Sequence, residues 1–158
     1  FSSDLSTTIG SITVTGPVGV AVRKLGTTYY AYIAAGGQVR RWDVTTAATP
    51  TQDASWTPPA TAGAEGLEVD TDGTVFVAGG GLVRRISPDG TTITHTYTLT
   101  DAADVAIFRN KIYVIRMVNP APSIVVLNKI DLSKWWCRYN SSRIGSFYTG
   151  SPFTIYGH

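Results

Sequence analysis

The chain of 158 residues has one cysteine, two histidines and few charges, with Asp, Glu, Lys and Arg together only 15%. Each scarcity excludes something. Cys137 alone cannot form a disulfide within the chain, and it reads as a packed thiol beside Trp135 and Trp136. A cysteine nucleophile would need a histidine base, and only His95 and His158 exist. Four-ligand structural zinc lacks the donors it needs, so no metal and no cofactor are expected. A net charge of +2 is too small to call for nucleic acid or an acidic membrane. No apolar run approaches the roughly 20 residues of a membrane-crossing helix, so no membrane insertion is expected. No basic-then-apolar leader opens the chain, and Phe1 stands in place of an initiator methionine, so a processed chain or a fragment is expected.

What is present is an apolar fraction of 43%, abundant threonine, and 16 glycines that punctuate short runs. The organising stretch is Gly66 to Gly90. Leu67 and Val69 alternate with Glu68 and Asp70, the mark of a strand with one buried face. Thr71-Asp72-Gly73 is a tight turn, and Val75 to Ala78 is apolar enough to be buried on both faces. Gly79-Gly80-Gly81 turns the chain again, Leu82 to Ile86 forms a third strand, and Ser87-Pro88-Asp89-Gly90 ends it.

The same grammar occurs earlier. Gly36-Gly37-Gln38-Val39-Arg40-Arg41-Trp42 matches Gly80-Gly81-Leu82-Val83-Arg84-Arg85-Ile86, and Ala31 to Ala34 matches Val75 to Ala78, 44 residues on. Gly19-Val20-Ala21-Val22 matches Gly66 to Val69 at an offset of 47, the difference being absorbed by a longer turn at Lys24 to Thr28. A third unit follows by pattern, with strands at Val105 to Ile107, Ile112 to Arg116 and Ser123 to Lys129. Ile9 to Thr15 and Thr91 to Thr100 alternate cleanly and predict strands with one polar face, and the outer strand of the second unit is either Thr91 to Thr100 or the segment before it. Thr45 to Ala64 predicts a short outer strand inside a connector that carries Trp56. No helix is expected. Periods of about 40 to 45 residues indicate four-stranded propeller blades.

The units resemble NHL-type and related β-propeller repeats, carried by Gly66 to Asp70, the Asp72-Gly73 turn, Val75 to Ala78, and the arginine-bearing strand Val83 to Ile86. The resemblance spans residues 9–132. It implies an all-β fold of propeller-like antiparallel four-stranded repeats, here about 9–50, 51–90 and 91–132, with an N-terminal arm over 1–8. Residues 133–158 form an aromatic extension or a partial fourth unit. Closed propellers have about four to eight blades. Three units therefore predict an incomplete ring, a piece of a larger one, or a ring completed by association.

The candidate chemistry is sparse. Arg40-Arg41 and Arg84-Arg85 recur at equivalent positions. They read as structural arginines that bind carbonyls or a carboxylate, or as a ring of cations for an anionic sugar or phosphate. Asp70-x-Asp72-Gly73 lacks the distal glutamate of a calcium loop, and Glu65, Glu68, Asp101 and Asp104 fit turns and blade edges. His95 reads as a hydrogen-bonded, partly buried side chain, with a catalytic base as the alternative. Trp135, Trp136, Tyr139, Phe147, Tyr148, Phe153 and Tyr156 suit packing between subunits, an internal core or a stacked ligand. Asn140-Ser141-Ser142 matches the N-glycosylation pattern. The expected function is a non-catalytic β-module that self-associates or joins a larger protein assembly, on a virion (tail, fibre or capsid) or another extracellular surface. The alternatives are a carbohydrate-binding propeller with a glycan ligand, and part of a propeller lyase or hydrolase.

Overall fold

A computed structural model describes residues 8–135. Among the described residues the regular structure is eleven strands, with no helix. The first antiparallel sheet runs β1 (Pro17–Leu25), β2 (Thr28–Ala35), β3 (Gln38–Asp43), β4 (Thr51–Gln52), in that spatial order. The second runs β5 (Ala64–Val69), β6 (Val75–Gly79), β7 (Leu82–Ile86), β8 (Ile93–Thr98), and the third runs β9 (Ala102–Phe108), β10 (Lys111–Arg116), β11 (Ser123–Asn128). Each sheet is a meander. Its first strand lies innermost, with β1 beside β5 and β5 beside β9. The sheets stack face to face, so the chain is a propeller-like partial ring of three sheets.

Burial explains the strand chemistry. The second sheet is sandwiched, and every residue of β6 is buried, so both faces of that strand are apolar. Between the first and second sheets, Tyr32, Ala34 and Val39 pack with Leu67, Val69, Val77 and Ile86. Trp56 is wedged into this layer, edge-on to Tyr32 with ring centroids 5.3 Å apart, and its Nε1–H donates to the Pro88 carbonyl at 3.1 Å. Gly90 (φ +75°) lies directly against the indole, where a Cβ would come within 2.4 Å of Nε1. Between the second and third sheets, Phe76, Ala78 and Val83 pack with Val105, Ile112, Val114 and Leu127. Burying each such side chain contributes about 1.5–3 kcal/mol.

Polar contacts pin the stack at its edges. Arg23 on β1 donates to the Val69 carbonyl at 2.8 Å and lies 3.4 Å from Glu68. Lys129, just beyond β11, reaches Asp70 at 2.6 Å. Burial would raise the Asp70 pKa, but the Lys129 ammonium and the Thr71 N–H outweigh it and hold the carboxyl below its usual value.

Four expectations need correction. Ile9 to Thr15 is not a strand. It crosses the outer face of the first sheet as a connector, with Ile12 and Val14 packed on Ile33, Ala35 and Trp42. This is the service that Trp56 performs for the second sheet. The turn at Lys24 to Thr28 is shorter than predicted. Gly26 (φ +60°) lets a two-residue loop close the hairpin, so Lys24 pairs with Tyr29 and the extra residues lengthen the strands. The unit boundary at 91 moves, because Thr91 to Thr100 takes the outer-strand place in the second sheet, where β8 hydrogen-bonds to β7, and does not open the third unit. The sheets therefore span 17–52, 64–98 and 102–128. Finally, the third sheet has three strands among the described residues. Its outer position is begun by the returning chain, where Asn128 N–H donates to Ser133 O at 2.8 Å and Trp135 N–H to Val126 O at 3.0 Å.

Candidate functional site

The three inner strands share a feature that sequence matching did not reveal. Each has a β-bulge near its start, between Pro17 and Gly19, between Ala64 and Gly66, and between Ala102 and Asp104. The extra residues are Val18, Glu65 and Ala103, so the bulges are repeat-equivalent. A bulge bends its strand and re-aims neighbouring side chains. All three line an open cleft of about 460 Å³ where the inner strands converge, together with Gly19, Val20, Gly66, Leu67 and Asp104.

The glycines are required by the approach of one strand to the next. A Cβ on Gly66 would lie 2.7 Å from the Asp104 Cα and 2.8 Å from the Ala103 carbonyl oxygen. A Cβ on Gly19 would lie 2.9 Å from the Glu65 carbonyl oxygen. Asp104 occupies the third equivalent position, with its carboxylate turned back onto the Val105 N–H at 2.8 Å. The cleft thus presents two exposed carboxylates, Glu65 and Asp104. Neither histidine nor cysteine lines it, so it offers no histidine-activated nucleophile. No group of three or more His, Cys, Asp or Glu among the described residues is placed to hold a metal ion.

The four arginines do not form a cationic ring. Arg41 faces the second sheet, paired with Asp53 (Nη2–Oδ2 2.6 Å, Nε–Oδ2 3.0 Å) and lying over the Tyr30 ring at 4.4 Å. The Ser55 hydroxyl, with Arg41, holds the Asp53 carboxyl below its usual value. Burial depresses the Arg84 pKa, and its guanidinium donates to the Ala62 carbonyl at 3.3 Å and to that of Gly79 at 3.5 Å. Arg85 donates to Thr94 at 3.0 Å on the exposed edge. Arg40, the counterpart of Arg84, lies half-buried on the outer face of the first sheet, away from the second. Three of the four therefore bind a carboxylate, carbonyls or a hydroxyl within the fold.

His95 pairs with Arg85 across β7 and β8, half-buried, and its buried Nδ1 has no hydrogen-bond partner among the described residues. The expectation of a partly buried His95 thus stands, with no hydrogen bond made by Nδ1 among the described residues. The predicted turn residues act as such: Asp72 accepts from Thr74 N–H at 2.8 Å. Trp135 is 39% exposed, with the Lys111 ammonium 4.9 Å from its ring centre. Trp136, Tyr139, Phe147, Tyr148, Phe153, Tyr156, Cys137, His158 and the Asn140-Ser141-Ser142 triplet lie outside the described residues.

Exposed apolar side chains gather at the two ends of the stack. On the leading face of the first sheet, Val18, Val20 and Val22 are 56%, 66% and 57% exposed. On the trailing face of the third sheet, Phe108, Ile115 and Ile124 are 59%, 41% and 63% exposed.

No family model and no curated protein matches the chain. Solved structures do. A chain of hydrazine synthase from Kuenenia stuttgartiensis superposes with a TM-score of 0.60 at 15% identity, over 84% of this chain and 38% of that one. A chain of a nidogen/laminin complex superposes with a TM-score of 0.50 at 15% identity, over 71% of this chain and 44% of that one. What is shared is the fold. At this identity the likeness carries no activity, and the chain spans less than half the length of either structure.

Proposed function

We propose that this chain is a non-catalytic assembly module that binds other protein through its two end faces, with NHL-type repeats as the family its grammar supports. One observation carries the reading: among the described residues, both ends of the three-sheet stack leave apolar side chains open, on β1 at the leading end and on β9, β10 and β11 at the trailing end, where the equivalent internal positions are sealed. Exposed contiguous apolar surface rimmed by polar residues marks interaction sites. The low charge and threonine-rich outer strands support a virion or extracellular setting.

The test is binding of the environment-sensitive dye ANS in dilute solution. The wild-type chain is expected to light the dye, and Val20→Ser with Ile124→Ser to reduce that signal at unchanged far-UV circular dichroism. A folded chain that stays monomeric and dark would overturn the reading.

A further inference from the structure

The open faces match each other through the repeat. On the side of each sheet that looks toward the next, the same three positions recur. They are Tyr32, Ala34 and Val39 in the first sheet, Phe76, Ala78 and Val83 in the second, and Tyr113, Ile115 and Ile124 in the third. Register fixes the correspondence, since Ala34 pairs with Val39, Ala78 with Val83, and Ile115 with Ile124. The first six are all 0–1% exposed, sealed by the following sheet. Among the described residues the third set has no following sheet, and Ile115 and Ile124 are 41% and 63% exposed.

The opposite sides correspond equally well. Leu67 and Val69 on β5, packed toward the first sheet, are 6% and 0% exposed. Their counterparts Val20 and Val22 on β1 have no preceding sheet. Ile33 stands for Val77, Trp42 for Ile86, and Arg40 for Arg84. Twice within the chain, a trailing face of this kind already binds a leading face of this kind. Each copy therefore carries both halves of one more such interface.

We propose that two copies of the chain close a ring, the trailing face of each third sheet packing on the leading face of the partner's first sheet. The occupant rests on the assembly reading above and narrows it. Closed propellers have about four to eight blades. With three sheets per copy among the described residues, two copies supply 3 + 3 = 6, whereas three would exceed that range. A two-fold axis along the ring centre makes both junctions identical and leaves no free end. Asp104 stands where Gly19 and Gly66 stand, so the new junction has a side chain at the place where the two internal ones have none.

Two measurements on the full chain test this. Light scattering across a dilution series should give twice the chain mass, and Val20→Asp or Ile124→Asp should weaken the dimer about tenfold or more. Copies carrying Val20→Cys, mixed under oxidation with copies carrying Ile115→Cys, both in a Cys137→Ser background, should cross-link to each other and not to themselves, because in the internal junctions the inner strand of one sheet meets the second strand of the sheet before it. Cross-linking of either variant to itself would mean like faces meet, and would overturn the ring. A monomer at every concentration that still lights ANS overturns self-association while leaving the assembly reading standing. A dark monomer overturns both.

Discussion

Val20 and Leu67 occupy the same position in two copies of one strand, yet Val20 is 66% exposed and Leu67 6%. Val22 and Val69 differ in the same way, at 57% and 0%. Nothing local separates them, for both strands alternate, both begin at a bulge, and both pair with an apolar second strand. The difference is one of place in the series, since β5 has a sheet in front of it and β1 has only Ile12 and Val14, which cover the sheet farther out. A repeat specifies a surface, and the neighbour decides whether that surface becomes core.

The largest expected effect follows from deleting the same group on both sides of that contrast. Leu67→Ala leaves a cavity in the layer with Tyr32 and Trp56 and should cost about 2–4 kcal/mol. Val20→Ala, in chain dilute enough to be monomeric, should cost less than about 0.5 kcal/mol. Urea denaturation of both variants measures the difference. If the ring forms, the cost of Val20→Ala should grow with protein concentration, whereas that of Leu67→Ala should not. Equal costs in the monomer would mean that β1 is covered by something other than a second sheet.

Much of this fold was legible because turn chemistry and alternation agree. The Asp72-Gly73 turn, the glycine run after β6 and the doubly buried β6 can all be read from residue types alone. The failures have one physical origin. Ile9 to Thr15 has a strand's alternation, but an alternating segment becomes a strand only where a neighbour accepts its backbone hydrogen bonds. Thr91 to Thr100 is a strand, but pairing with β7 determines which sheet it joins. The arginine pairs were recognised as recurring, and their partners, Asp53 for Arg41 and the Ala62 carbonyl for Arg84, come from connectors that do not repeat. The aligned bulges had a faint signal in Gly19 and Gly66, hidden in the third unit by Asp104.

Those two glycines give a second comparison, of intermediate size. Gly66→Ala places a methyl group 2.7 Å from backbone at Asp104 and forces β5 and β9 apart. Overpacking of this kind costs about 1–3 kcal/mol. Gly19→Ala meets the Glu65 carbonyl oxygen at 2.9 Å, the flexible end of Leu67 at 3.3 Å and the Gly66 Cα at 3.4 Å, each a longer approach than at Gly66, so its cost should be smaller. Thermal unfolding of the two variants reads the order directly, and a larger loss at Gly19 would place the tighter junction on the wrong side of β5.

The smallest effect concerns the polar pins, which the internal junctions have and the open faces await. Asp70 is held below its usual pKa in the fold, against about 3.9 for a free aspartate. The unfolded chain therefore binds protons first as the solution is acidified. Stability from the Asp70–Lys129 contact is fully present above the unfolded value and is lost as pH falls through the folded one. Because Lys129 is partly exposed, the expected loss is about 1 kcal/mol. Asp53, held low by Ser55 and Arg41, titrates in the same direction but lies outside the contact between the second and third sheets. Asp70→Asn should thus reduce the slope of unfolding free energy against pH between about 5 and 2 without abolishing it. An unchanged slope in that variant would show that Asp70 does not lock the second sheet to the third, leaving the packing of Phe76 against Ile112 and Val114 to hold that junction alone.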